Sequence, residues 1–163
     1  MSKADTFEGA KNAFAFVYGY MSTVGEEIGM ERAIALDTKS SEMMGAAQGE
    51  AIREQLDLDT VDLATAASLA ARSIADGIGI DSEVVEANGQ RVVTKLDRCP
   101  VYEAAKMLGM DDATIETICR AGSIRYMDAM VKQWNPDLSY ELKEFRSSAD
   151  GHCLEELVLS AHA

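Results

Sequence analysis

Residues 82–102, SEVVEANGQRVVTKLDRCPVY, decide the fold because they join a β-hairpin to the start of a helix. Asn88-Gly89 lies between two valine-containing runs, which is the strongest short-range signal for a hairpin. The pattern predicts strands over residues 82–87 and 90–96, joined by a type I′ turn in which both central residues have positive φ. The predicted cross-strand pairs are Glu86–Arg91, Val85–Val92 and Val84–Val93.

The hairpin leads directly into Cys99-Pro100, where a helix is predicted to begin. Proline is favoured at the first helical position, which makes Pro100 that residue and Cys99 the N-cap. A thiol at this position faces unpaired backbone N–H groups and the positive end of the helix dipole, and Arg98 adds a positive charge. We therefore predict that Cys99 is the most acidic cysteine of the chain and a candidate nucleophile.

The sequence before the hairpin is helical in pattern. Apolar residues spaced three and four apart predict helices over residues 5–20, 26–56 and 59–74, with Asp59 as the cap of the third. Gly45 and Gly49 in the second helix indicate either a break or a close approach of another helix.

After Cys99-Pro100 the pattern predicts two helices and a second hairpin. The first helix ends at Leu108-Gly109, and Asp111 caps a second that runs to about residue 133. Alternating apolar residues predict strands over residues 138–142 and 153–159. We therefore predict one α+β domain over residues 1–163: a helical N-terminal half, then two β-hairpins forming a small antiparallel sheet, with two intervening helices.

Composition excludes several classes of partner. The formal net charge of −13 disfavours nucleic acid and anionic membrane surfaces, which are bound by basic residues. No apolar run approaches the roughly 20 residues of a membrane span. The three cysteines, an odd number, together with the absence of an apolar export signal near the start, lead us to expect reduced thiols and a cytoplasmic protein. A homo-oligomer remains an open alternative.

The three cysteines form the most informative group of side chains. If both hairpins belong to one sheet, Cys99, Cys119 and Cys153 converge with His152 at one end of it. Cys119 lies on the apolar side of its helix, so a buried, inert thiol is its simpler interpretation. For His152 the simpler interpretation is an exposed loop histidine, because turn-forming residues surround it.

Four motifs mark the second half of the chain: Arg98-Cys99-Pro100-Val101-Tyr102, Cys119, Trp134-Asn135-Pro136 and Asp150-Gly151-His152-Cys153. They resemble those of the L-2-amino-thiazoline-4-carboxylic acid hydrolase family. Residues 29–33 and 45–49 also look like the helical half of that family. The hydrolase resemblance implies hydrolytic opening of a cyclic thiazoline amidine, a step towards cysteine. More distantly, the chain is similar to the 4-vinyl reductase domain group, whose small α+β members bind apolar or tetrapyrrole-like ligands.

A hydrolase is the first functional hypothesis. Cys99 is its nucleophile and attacks the C=N carbon of the ring, with His152 as the base and Asp150 orienting it. Arg98 either activates the thiol or binds the substrate carboxylate. The remaining substrate-contacting residues are expected to be Tyr102, Cys119, Tyr126, Trp134, Asn135 and Cys153.

A small-molecule binding module without catalysis is the second hypothesis. Its ligand, apolar or planar, occupies a cavity between the helices and the sheet, and the cysteines sense redox state or hold a metal. The alternative metal set is Cys99, Cys119, Cys153 and His152, which lacks the usual CxxC pair. We accordingly expect no cofactor and no metal. The predicted cavity walls are Phe14, Tyr18, Met43, Met44, Tyr102, Tyr126 and Trp134.

Overall fold

The computed structural model describes residues 2–160, which form six helices and four strands. It confirms the predicted α+β class, with a helical N-terminal half followed by a small antiparallel sheet. The elements, in chain order, are α1 (Lys3–Ile28), α2 (Met30–Gln55), α3 (Leu63–Ile78), β1 (Ser82–Ala87), β2 (Arg91–Leu96), α4 (Pro100–Met107), α5 (Asp112–Ala121), α6 (Ser123–Lys132), β3 (Leu138–Glu144) and β4 (Cys153–Leu159).

The first two helices meet at Gly29, whereas the sequence predicted that the first helix ends at residue 20 and the second begins at residue 26. Gly29 has φ of 90°, a conformation that glycine adopts without a steric penalty, and it ends α1 and begins α2. At the other end of α1, the Ser2 side chain accepts a hydrogen bond from the Asp5 amide in a capping box. The helix therefore starts before Asp5, which is the third helical residue.

Helix α3 begins later and ends later than predicted. Its cap is Asp62, whose carboxylate accepts a hydrogen bond of 2.7 Å from the Thr65 amide, and Asp59 lies outside the helix. The helix ends at Gly79, which is left-handed with φ of 72°. Asp59 and Asp62 are both able to cap a helix, so the local sequence alone does not distinguish the two positions.

The four strands form one antiparallel sheet in the order β1-β2-β4-β3. Strand β2 pairs with β4 so that Leu96 lies opposite Cys153, and this pairing unites the two hairpins. One face of the sheet carries the alternate residues Cys153, Glu155 and Leu157 of β4 towards the helices. The site described below lies against this face.

Next to the turn, the register of the first hairpin differs from the prediction by two residues. Ala87 lies opposite Val92 and Glu86 opposite Val93, with a bulge between Val84 and Glu86. The carboxamide oxygen of Asn88 accepts hydrogen bonds from the amides of the two residues that follow Gly89, which stabilises a turn centred one position later. Gly89 is not among the described glycines with positive φ, so the predicted type I′ turn is wrong.

Helix α4 confirms the predicted start, with Cys99 at the N-cap and Pro100 as the first helical residue. Asp111 caps α5 as predicted, through a hydrogen bond from the Thr114 amide. The predicted helix from this cap to residue 133 is divided at Gly122 into α5 and α6. A Cβ atom on Gly122 would lie 2.8 Å from the Asp37 carboxylate of α2, so the division coincides with a close approach between elements.

The two glycines in the middle of α2 permit close packing against α6, which resolves the alternative left open by the sequence. A Cβ atom on Gly45 would lie 2.1 Å from the carbonyl oxygen of Tyr126, and one on Gly49 would lie 2.4 Å from that of Met130. The indole N–H of Trp134 donates a hydrogen bond of 3.0 Å to the Gly49 carbonyl. Helix α2 is continuous through this contact.

Candidate functional site

A cavity of about 960 Å³ lies between the helices and the inner face of the sheet. This volume falls at the upper end of the range typical of small-molecule sites. Exposed residues line its opening, here called the mouth, which lies between α2 and α3 and beside α1. Buried residues line its inner end, here called the floor, towards β4, α4 and α5. The residues of the mouth are Val17, Met44, Leu56, Arg72 and Asp76.

The three cysteines come together at this floor. Cys99, Cys119 and Cys153 all line the cavity; Cys119 and Cys153 are buried, whereas Cys99 is half-buried. Cys99 is surrounded by protein on all sides, so its accessible surface faces the cavity and not bulk water. The sequence-based expectation that the cysteines converge at the sheet therefore agrees with their positions, but the floor also carries charged groups that sequence reasoning missed.

Burial makes Cys99 a weak acid, which is the reverse of the acidity predicted for it. Desolvation raises the pKa of the Cys99 thiol to about 11; the Tyr102 amide and the charge of Arg146 lower it only partly. No side-chain hydrogen bond of ordinary geometry caps the helix at this thiol. The helix terminus is present as predicted, but the cost of a charge in a site enclosed by protein exceeds its effect. Cys99 is thus protonated at neutral pH.

Glu155 is the acidic residue at the floor of the cavity. Its side chain lines the cavity, and the hydroxyl of Tyr140 donates a hydrogen bond of 2.5 Å to its Oε2. Burial raises the pKa of the Glu155 carboxyl, while Tyr140 and the charge of Arg146 act in the opposite direction. A carboxyl with a raised pKa inside a cavity is a common feature of functional sites. The signal in the sequence was a glutamate at an inward position of β4, between Cys153 and Leu157.

Arg146 is the second charged residue that sequence reasoning missed. It follows β3, lines the cavity and is only 3% exposed. Its guanidinium carbon lies 4.9 Å from the centre of the Tyr102 ring, and its Nη2 donates a hydrogen bond of 3.3 Å to the Leu96 carbonyl. No pattern in the sequence indicated that Arg146 is buried, because its burial depends on contacts with the sheet, at Leu96, and with α4, at Tyr102.

Several of the predicted substrate-contacting residues line this cavity. Tyr102 is buried, and its hydroxyl donates a hydrogen bond of 2.9 Å to the Asp112 carboxylate at the protein surface. Tyr126 is half-buried. The predicted residues found on the cavity wall are Phe14, Tyr18, Met44, Cys99, Tyr102, Cys119, Tyr126 and Cys153.

Trp134, Asn135 and Met43 are not on the cavity wall. Trp134 is buried in the core and is hydrogen-bonded to α2. The side-chain amide of Asn135 donates to the Val61 carbonyl at 2.9 Å, and its Oδ1 accepts a hydrogen bond from the Asp137 amide. These contacts give the Trp-Asn-Pro motif a structural role in joining the start of α3 to the end of α6.

The structure does not bring His152 and Asp150 to Cys99. His152 is exposed, and its charge acts on Asp97 outside the cavity. Asp150 and Arg98 border a second, shallower depression that Tyr102 separates from the cavity. The Arg98 guanidinium stacks on the Phe7 ring at 4.1 Å and forms an ion pair of 2.8 Å with Glu103.

The alternative metal set is not assembled. Within residues 2–160, no group of three or more histidine, cysteine, aspartate or glutamate side chains is placed to hold a metal ion. Cys99, Cys119 and Cys153 line the cavity, but His152 does not. His152 directly precedes Cys153, the first residue of β4, and neighbouring residues of an extended chain face opposite sides. In this same part of the chain, no helix has both the length and the hydropathy to span a membrane.

Comparison with protein families identifies the relatives of this chain. A family model described as L-2-amino-thiazoline-4-carboxylic acid hydrolase matches residues 10–154. The chain belongs to this family. The match extends from within α1 to the first two residues of β4, and it confirms the resemblance to this family. No curated protein matches the chain significantly.

Solved structures with a similar fold include a subunit of a trafficking protein particle complex. The crystal structure of a trafficking protein particle complex subunit 3 from Naegleria fowleri, covalently bound to palmitic acid, superposes with a TM-score of 0.62. The match covers 94% of this chain and 96% of that one, at 13% sequence identity. At this identity the similarity shows a shared fold.

Proposed function

We propose that this protein binds a small, largely apolar organic molecule in the cavity between its helices and its sheet. The observation that carries this proposal is the cavity itself: its volume is about 960 Å³, its mouth lies between α2 and α3, and its floor is enclosed. Apolar walls with a few polar groups at one end are typical of ligand sites. Here the floor carries Glu155, Arg146 and the three thiols.

Two further observations support binding. The protonated state of Cys99, with its pKa raised to about 11, removes the feature that made a cysteine nucleophile attractive. The structural neighbour from Naegleria fowleri was determined with palmitic acid bound. That protein therefore shows that this fold is able to hold a long acyl chain, which is the kind of ligand that a cavity of this volume accommodates.

A titration with N-phenyl-1-naphthylamine, an apolar dye that fluoresces in apolar sites, tests the proposal. Ser73 of α3 lines the cavity, whereas Ser68 lies on the exposed side of the same helix. We expect Ser73→Trp to weaken dye binding about tenfold or more by filling the cavity, and Ser68→Trp to leave it unchanged. Absence of dye binding to the unaltered chain, or equal effects of the two substitutions, would contradict the proposal.

Hydrolysis of a cyclic thiazoline amidine is the second candidate function, favoured by membership of the hydrolase family. In this reaction water adds to the C=N carbon, and a ring bond at that carbon breaks, so that the product gains the mass of one water. We assign the proton transfers to Glu155, because its carboxyl lies in the same cavity as Cys99 and has a raised pKa. Cys99, as a neutral thiol, then contacts the substrate without attacking it.

Mass spectrometry of 2-amino-thiazoline-4-carboxylate incubated with the protein tests this second candidate. We expect a product one water heavier, and we expect Glu155→Gln to lower the rate by at least about a hundredfold. Cys99→Ser should retain most of the rate if the thiol is not the nucleophile. A rate abolished by Cys99→Ser but unaffected by Glu155→Gln would restore the cysteine mechanism, and no product from the unaltered chain would exclude this substrate.

A further inference from the structure

Arg146 is a buried cation whose hydrogen-bonding capacity is largely unused. A guanidinium has five N–H donors. In residues 2–160, the acceptor found for Arg146 is the Leu96 carbonyl at 3.3 Å, a long hydrogen bond. The Nε–H group is enclosed and has no hydrogen-bond partner. Burying such a donor without an acceptor costs roughly 1–3 kcal/mol, and the positive charge adds to this cost.

The acidic side chains around Arg146 do not pair with it directly. Glu155 and Asp97 are near enough for the charge of Arg146 to lower their pKa values, but neither carboxylate lies within 4 Å of the guanidinium. Glu155 is instead bonded to Tyr140, and Asp97 forms an ion pair with Lys95. The guanidinium therefore lies at the floor of a mainly apolar cavity, with the Tyr102 ring on one side and without a carboxylate paired to it.

We propose that Arg146 binds the carboxylate of the ligand, and that the ligand is an amphiphilic monocarboxylic acid whose apolar part extends towards the mouth between α2 and α3. This inference rests on the proposed function and specifies the substrate class of the same site. A carboxylate matches the planar fork of a guanidinium and satisfies its free donors. The Tyr102 ring lies beside the guanidinium, 4.9 Å from its carbon atom, and stabilises its positive charge.

The distribution of polar residues along the cavity gives the ligand its orientation. Arg146, Glu155 and Cys99 lie together at the enclosed floor. The walls beyond them are mainly apolar, with Asp37, Ser41 and Gln48 of α2 as polar exceptions. Met44 and Leu56 at the mouth are about half exposed. A carboxylate at the floor with a chain directed to the mouth leaves each part of the ligand in a matching environment.

Calorimetric titration with decanoate and with 1-decanol tests the inference. The two probes share an apolar chain and differ in the head group. At pH 8 we expect the unaltered chain to bind decanoate at least about tenfold more tightly than 1-decanol, as charge-assisted hydrogen bonds allow. Arg146→Gln should abolish this preference while 1-decanol still binds. Arg53→Gln, which removes an exposed cation that does not line the cavity, should preserve it.

A second measurement needs only the unaltered chain. We expect decanoate labelled with ¹³C in its carboxyl group to show, by NMR, a lower carboxyl pKa when bound than when free, because Arg146 favours the anion. Binding of 1-decanol as tightly as decanoate, or a raised pKa of the bound carboxyl, would overturn the assignment of Arg146 and leave the cavity proposal intact. Failure of both probes to bind would overturn both proposals.

Discussion

Tyr140 of β3 donates the hydrogen bond that holds Oε2 of Glu155, on the neighbouring strand β4, at the floor of the cavity. The residue directly opposite Glu155 is Leu142, so the hydrogen bond from Tyr140 is a diagonal one. It holds the carboxyl on the face of the sheet that lines the cavity. Burial nevertheless dominates and raises the pKa of the carboxyl above its ordinary value of 4.5. Burial therefore favours the protonated form of a carboxyl that lines the cavity.

Glu155→Gln should change the pH dependence of stability. Because the folded-state pKa of Glu155 is higher than the unfolded value, its contribution to stability is fully present below about pH 4.5 and is lost as pH rises through the folded pKa. Glutamine cannot ionise, so the variant should gain stability relative to the unaltered chain at pH 8, but not at pH 4. Urea unfolding at both pH values measures the difference. A variant that loses the same stability at both values would indicate that the carboxyl is not desolvated.

Cys99 should react slowly with alkylating reagents at neutral pH. With a pKa of about 11, roughly 0.1% of the thiol is ionised at pH 8, compared with about a quarter for an unperturbed cysteine. Alkylation by iodoacetamide, followed for each cysteine by mass spectrometry, should accelerate about tenfold per pH unit up to pH 10. The control is the same measurement in urea, where all three cysteines should react at similar rates. A plateau for Cys99 below pH 8 in the folded protein would show an activated thiolate.

Gly45→Ala should destabilise the protein by about 2 kcal/mol or more, because its Cβ atom would overlap the Tyr126 carbonyl oxygen of α6. The matched control is Gly19→Ala in α1, where nothing lies within 4 Å of the added methyl group. At that position alanine should stabilise the helix by about 0.5–1 kcal/mol. Free energies of unfolding from urea titrations compare the two. A neutral Gly45→Ala would mean that α2 and α6 do not approach as closely as described.

The sequence predicted local features better than those that depend on neighbouring elements. Cys99 is the N-cap and Pro100 the first residue of α4, as the dipeptide indicated. The acidity predicted from that position was wrong, because desolvation in the cavity depends on the sheet and on the other helices that enclose it. The register of the first hairpin was likewise missed, since the Asn88 side chain moved the turn by one residue.

The candidate site was predicted only in part for the same reason. The predicted order of elements indicated that Cys119 and Cys153 lie near Cys99, and all three cysteines line the cavity. His152 was predicted as the base because histidine most often has that role in enzymes. Alternation along the strand directs Cys153 into the cavity and leaves His152 exposed. Glu155 was identifiable as a carboxylate on the inward side of β4. Arg146 was not, because nothing local distinguishes a loop arginine that becomes buried.

The most direct test of the binding cavity is NMR of the protein labelled with ¹³C at its methionine methyl groups, titrated with 1-decanol. Met44 and Met127 line the cavity, whereas Met43, the neighbour of Met44, and Met107 are exposed elsewhere. We predict saturable shifts of the Met44 and Met127 methyl signals and unchanged signals from Met43 and Met107. Unchanged Met44 and Met127 signals at a saturating concentration of 1-decanol, or equal shifts of all four, would contradict the account.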